Sequence, residues 1–481
     1  MENISNRLKK YCISQDRYNQ QSKELLHLGF SEDQAQKIII KKFSNNTVET
    51  LIAHYHKISG YLTHKDLTGI CSKNGGGKTL LKVIGCRKIL NTIGFTDQNI
   101  VAIASNGGGS ITLQAVIDLH SQLINIGFTD QNIVAIASNI GGSKTLQSVI
   151  DLHKPLKDIG FSDQNIVAIA SNGGGSITLQ AVIDLHSQLN KIGFTDQNIV
   201  AIASNDGGSI TLQAVIDLHS QLINIGFTDQ NIVAIASNGG GSKTLQAVID
   251  LHSQLINIGF TDQNIVDIAS NIGGSKTLQA VIDLHSQLNS IGFTDQNIVA
   301  IASNSGGSKT LQAVVNLNNK LTSIGFTDHN IVAIASNIGG SKTLQAVIDL
   351  HSQLTKIGFT DQNIVDIASN IGGSITLQAV IDLHSQLTMI GFTDQNIVAI
   401  ASNIGGSKIL QSVIDLHKPL KDIGFSDQNI VAIASNGGGS ITLKSVIENQ
   451  KNILASDITI DQLARKLSVN SGSKALEELM L

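Results

Sequence analysis

Apolar residues fall at helical spacing along this chain, and the spacing itself recurs every 33 residues. From Phe95 the segment FTDQNIVAIASNGGGSITLQAVIDLHSQLINIG returns ten more times in unbroken steps, ending near Asp457. Fixed periods of this size mean stacked structural units. The stretch FTDQNIVAIAS predicts a short helix, with Ile100, Ile103 and Ala104 on one stripe and Thr96 or Asp97 as its cap. Asp97 also places negative charge at the positive end of that helix. Asn106-Gly107-Gly108-Gly109 breaks it, since glycine accepts the positive φ of a tight turn. A second helix is predicted from about Ser110 to Asn125, with Leu113, Val116, Ile117 and Leu123 at helical spacing and Gly127 at its end. One such hairpin cannot bury its apolar face alone. Stacking buries it, which predicts an all-α fold, an α-solenoid of right or left hand with atypical end units.

The ends do look atypical. Residues 62–94 keep the period but diverge in detail, residues 30–61 carry a fainter copy, and the stretch from about Ile458 to Leu481 begins another and stops. Three regions follow: a basic N-terminal region with degenerate repeats, 1–94; eleven regular repeats, 95–457; and a capping repeat, 458–481.

Composition supports helical packing. Trp is absent, the only prolines are Pro155 and Pro419, and the 45 glycines sit at fixed places in the repeat instead of forming a low-complexity tract. Cys12, Cys71 and Cys86 all precede the array, so no disulfide framework is expected and a reducing compartment fits. Met1 to Gln20 offers no apolar run for a signal peptide, and the periodic apolar residues argue against a transmembrane helix. The net charge of −4 hides an asymmetry. Residues 1–94 hold 15 Lys and Arg against 7 Asp and Glu, a balance of +8, which leaves −12 for the remainder. A polyanion partner is therefore expected for the first part.

The copies differ chiefly at one place, the thirteenth residue from the opening Phe. It reads Gly107, Ile140, Gly173, Asp206, Gly239, Ile272, Ser305, Ile338, Ile371, Ile404 and Gly437. An Asn always precedes it and a Gly-Gly pair always follows. A constant scaffold around one changing residue looks like a reader of a linear target. A merely tolerant turn would also admit Lys, Glu, Gln and Thr, and none occurs. Ankyrin repeats share the period, but their TPLHxA signature is missing.

Other features read more plainly. GGGKT at Gly75–Thr79 lacks the first Gly of a P-loop, because Ser72 stands there, and GGSKT recurs in later repeats. The recurring His (His120, His153 and their successors) lies two residues after an Asp, off its helical face, so an inter-repeat role is expected and a metal site is not. No Ser/His/Asp or paired-carboxylate constellation stands out. Neither enzymatic activity, a cofactor nor a small-molecule substrate is expected.

The repeats closely resemble the TALE-like (transcription activator-like effector) DNA-binding proteins, which share the VAIASN-x-GG core and a variable pair at the turn. The resemblance covers some four-fifths of the chain. It implies a right-handed superhelix in the major groove of duplex DNA, one repeat per base pair, with the chain acting as a monomer. It also implies a place in the cytoplasm or on the DNA of a bacterium, or in a host nucleus after translocation. RNA-binding and protein-interaction solenoids are the alternatives.

The residue chemistry agrees with base reading. An Asp accepts from cytosine N4, a Gly leaves room for the thymine methyl, and a Ser discriminates poorly. An Ile offers only apolar contact, and its preference for adenine comes from the resemblance. So does the bracing role given to Asn106, Asn139, Asn172, Asn205, Asn238, Asn271, Asn304, Asn337, Asn370, Asn403 and Asn436. Phosphate is expected at the bare N–H groups of the Gly-Gly pair, as at Gly108 and Gly109, where a helix begins. Lys144, Lys243, Lys276, Lys309, Lys342 and Lys408 follow that pair, one place later than the family's usual Lys. The acidic array shifts much of the nonspecific affinity to residues 1–94. Finally, Lys41-Lys42-Phe43-Ser44-Asn45 matches the segment that holds an aromatic against a 5′ thymine in relatives, so Phe43 is expected to favour T before the coded site. The expected target is 5′-(T)TATCTANAAAT-3′.

Overall fold

The computed structural model describes every residue except 1–7, 9, 12, 41–43, 107, 173, 239, 457 and 481. All regular elements among the described residues are helices. Each array repeat is a short helix followed by a long one, as in Asp130–Ala137 and Gly142–Asp158. The long helix packs on those before and after it, Gly109–Asn125 and Gly175–Lys191, and short helices stack on short helices in the same way. Neighbour-to-neighbour packing of this kind makes the array an α-solenoid.

The chain divides into two compact units, residues 1–245 and 246–481. In the first, helices Gln15–His27, Glu32–Ile39, Ser44–Ile58, His64–Cys71 and Gly76–Thr92 precede the regular hairpins. The pairs Glu32–Ile39 with Ser44–Ile58, and His64–Cys71 with Gly76–Thr92, keep the short-then-long order despite their divergent sequences. In the second, the regular hairpins give way to Gln450–Ala455 and then to the pair Ile460–Leu467 and Gly472–Met480.

The short helix is capped by a Thr or Ser, not by the Asp that follows it. Thr195 Oγ1 accepts from the Asn198 N–H at 3.3 Å, and Asn198 Oδ1 accepts the Thr195 N–H at 3.0 Å. Two otherwise orphaned donors are thereby satisfied. Asp196 then occupies the first turn, next to the positive helix end. The predicted apolar stripe forms the core: Ile100, Ile103, Leu113, Val116 and Leu123 are fully buried, and only Ile117 is half-exposed.

The long helix begins at the second glycine of the pair, one residue earlier than its pattern suggests. Gly207 is its cap, at φ 76° and ψ 21° in the left-handed region. Gly208 is pressed against the short helix, where an added Cβ would lie 2.5 Å from the Ala203 carbonyl oxygen. The two glycines thus answer different demands, conformation and space. Gly208→Ala is expected to lower the melting temperature, costing roughly 1–3 kcal/mol through overpacking against backbone. Differential scanning calorimetry against Ser209→Ala tests this, and equal melting of the two variants would refute the close-packing argument.

The recurring His joins consecutive repeats. His153 Nε2 lies 2.9 Å from Asp163 Oδ1, at the start of the next short helix, and its ring meets Phe128 edge-on at 5.7 Å. The same link recurs from His120–Asp130 to His417–Asp427. At the entry to the array Arg87 takes the His position. It grips Asp97 with two hydrogen bonds of 2.7 and 2.8 Å and lies over the Tyr61 ring. The hydrogen bond from Arg87 holds the Asp97 carboxyl below its usual range. Asn318 replaces the His in the repeat that carries Ser305, and its Oδ1 is buried without a partner among the described residues.

Candidate nucleic-acid interface

The two helices of a hairpin are joined by a turn whose tip, wherever it is described, is the variable residue. The turn forms because the short helix runs out at Ala203, Asn205 folds back on it, and Gly207 reverses the chain. Asn205 Nδ2 donates to the Ala201 carbonyl at 2.7 Å, four residues upstream. The equivalent bond runs from Asn139 to Ala135 at 2.6 Å and from Asn436 to Ala432 at 2.7 Å. With that side chain occupied by the helix, the next residue stands free. Ile140 is 74% exposed, and even the most covered of the Ile tips, Ile371, is 44% exposed. Asp206 is exposed too, whereas Ser305 and Gly437 are half-buried. Gly107, Gly173, Gly239 and Phe43 lie outside the described residues.

The glycine pair offers a phosphate less than its sequence suggests. The N–H of Gly109 already donates to the Asn106 carbonyl at 3.0 Å, and Gly142, Gly208 and their equivalents do the same. The lysines are better placed. Lys144, Lys243, Lys276, Lys309, Lys342 and Lys408 are all exposed. Each is the third residue of its long helix, about 3 Å along the axis from the start. The carboxylates sit further from the turn. Asp151 lies about 14 Å along the same helix, and Asp163 opens a short helix whose tip end is about 10 Å away. Asp206, Asp267 and Asp366 are the exceptions nearer the tip. The array's negative balance is therefore mostly kept away from the turns.

Two further sequence features resolve in structural terms. The opening Phe of each repeat is 1–2% exposed, and most, such as Phe161 and Phe194, pack against a His ring, so it is not a stacking platform. GGGKT forms the turn and first residues of a helical hairpin. A helix precedes it, and its Gly77 N–H donates to Thr47 Oγ1 at 3.1 Å.

Five segments match the family model for the TAL effector repeat: residues 107–139, 206–238, 272–304, 305–337 and 372–403. Each ends on the Asn before a turn tip, and four begin on a tip residue. The five matched repeats mark the array as TALE-like. No curated protein matches it. TAL effector repeats are sequence-specific DNA-binding units, which points to DNA as the partner of this TALE-like array. No helix among the described residues is long and apolar enough to cross a membrane.

Proposed function

We propose that each turn tip of this TALE-like array reads one base pair from the major groove of duplex DNA, and that the eleven tips spell TATCTANAAAT from 5′ to 3′. The observation that carries the reading is the exposure of the five Ile tips. Each stands 44–74% exposed at the one position that the repeat varies, so a partner laid along the tips would meet the changing side chain of each unit. The residue set fits base edges: a carboxylate at Asp206 for cytosine N4, and small or apolar tips where a thymine methyl or an adenine edge is to be met. RNA readers stack bases on aromatic rings, and the buried Phe of each repeat offers none. The Asn bonds to the short helix support a bracing role for Asn139, Asn205 and their equivalents.

Selection from a random duplex library is expected to enrich TATCTANAAAT, with no preference at the base over Ser305. Enrichment of an unrelated motif would overturn the reading. So would equal binding to the corresponding single-stranded RNA.

A further inference from the structure

The unit at residues 62–94 has diverged in sequence, yet it keeps the display geometry of the array. Its short helix His64–Cys71 opens on a capping box of Thr63 and Asp66, and its long helix Gly76–Thr92 has the 17 residues of a regular repeat. Gly75 caps the long helix at φ 73° and ψ 21°, which nearly superposes on the values at Gly207. Gly76, like Gly208, leaves no room for a side chain, since an added Cβ would lie 2.8 Å from the Cys71 carbonyl oxygen. Its N–H donates to the Lys73 carbonyl at 3.1 Å, as that of Gly208 does to Asn205 at 2.9 Å.

The residue at the tip of this turn is Asn74, 33 positions before Gly107. It is exposed, and its amide makes no hydrogen bond to another described residue. An Asn that merely serves a turn normally bonds nearby backbone. The Asn at the same position of the final unit is committed in a different way: Asn470 Oδ1 accepts the Gly437 N–H at 3.0 Å. Around Asn74 the charge is positive. Lys73 replaces the bracing Asn, Lys78 takes the place of the array lysines, and both are exposed.

We propose that Asn74 is a twelfth base-reading residue and that it selects adenine immediately 5′ of the eleven coded bases. The inference rests on the base-reading function above. An amide presents one donor and one acceptor. Adenine offers N7 and the N6 amino group in the matching order, whereas guanine offers two acceptors and satisfies only the donor. Neither pyrimidine presents the pair. This assigns to Asn74 the base that the resemblance gives to Phe43 as thymine.

The test uses the full chain and four duplexes that differ only in the base before TATCTANAAAT, with a fifth altered at the base over Asp206. The wild-type protein is expected to bind the adenine duplex roughly five- to a hundred-fold more tightly than the pyrimidine duplexes. Asn74→Ala is expected to level the four while still rejecting the fifth, and Asn74→Asp to move the preference to cytosine. Because Asn74 is exposed, both variants are expected to melt like the wild type. Indifference of the wild type to the preceding base would overturn the inference and leave the eleven-base reading standing. A thymine preference that survives Asn74→Ala and disappears in Phe43→Ala would overturn it equally. If Asn74→Ala weakened all four duplexes to the same degree, the residue would be a backbone contact instead. Equal binding of the wild type to the fifth duplex would remove the base-reading function itself.

Discussion

Replacing Lys144, Lys243, Lys276, Lys309, Lys342 and Lys408 together by alanine is expected to flatten the salt dependence of DNA binding. Each phosphate contact on duplex DNA contributes about 0.9 to the slope of log K against log salt concentration, so six contacts contribute about five. Over a fourfold range of salt that corresponds to about three decades of affinity. Net charge alone argues the opposite, since residues 95–481 carry −12. Position decides the matter. The six lysines stand within the first turn of their long helices, beside the tips, while Asp151, Asp163 and their equivalents lie about 10–14 Å from the tip ends of their helices. The preference among bases should survive in the variant, because none of the six lysines occupies a tip. Fluorescence anisotropy with the proposed target between about 50 and 200 mM salt measures the slope. An unchanged slope would place the phosphate contacts elsewhere, with the basic residues 1–94 as their source.

The repeat made much of this fold legible. Glycine at fixed intervals and the stripe of Ile100, Ile103, Leu113 and Val116 define both helices of the hairpin in the sequence itself. What the structure adds is local and physical. Thr or Ser caps the short helix because its hydroxyl reaches the third N–H, leaving the next Asp for the helix dipole and the His of the preceding repeat. The second glycine looked like a phosphate donor from its type alone. In three dimensions its N–H serves the turn, and it is glycine because the short helix leaves no room for a Cβ.

The link between His153 and Asp163 was harder to see. The two stand ten residues apart on different helices, and helical spacing says nothing about pairs across a loop. A signal was nonetheless present, because Arg87 replaces the His at one unit and keeps Asp97 ten residues on. Asn74 was obscured by its neighbours. Lys73 and Gly77 stand where the array has Asn and Ser, and the backbone angles of Gly75 and the packing of Gly76 show that the turn is preserved.

Asp206→Gly is expected to change the preferred fourth base from cytosine to thymine and to leave the other positions as they are. The hairpin should tolerate the change, because Gly stands at the same tip in other repeats and the left-handed bend is made by Gly207, not by residue 206. What the substitution removes is a single exposed carboxylate, the only acidic tip among the eleven. A carboxylate accepts from cytosine N4 and repels the acceptor atoms of guanine and thymine, which is worth roughly 1–3 kcal/mol of discrimination. Without it, nothing opposes the thymine O4, and the missing side chain leaves space for the C5 methyl. Asp206→Asn separates charge from shape. It keeps the outline of the side chain but presents a donor beside an acceptor, so the preference should move to adenine, as argued for Asn74. Binding to four duplexes that differ only at the fourth base reads both variants. Retention of cytosine by Asp206→Gly would show that this tip does not touch the base. Retention by Asp206→Asn alone would show that outline, not charge, carries the selection.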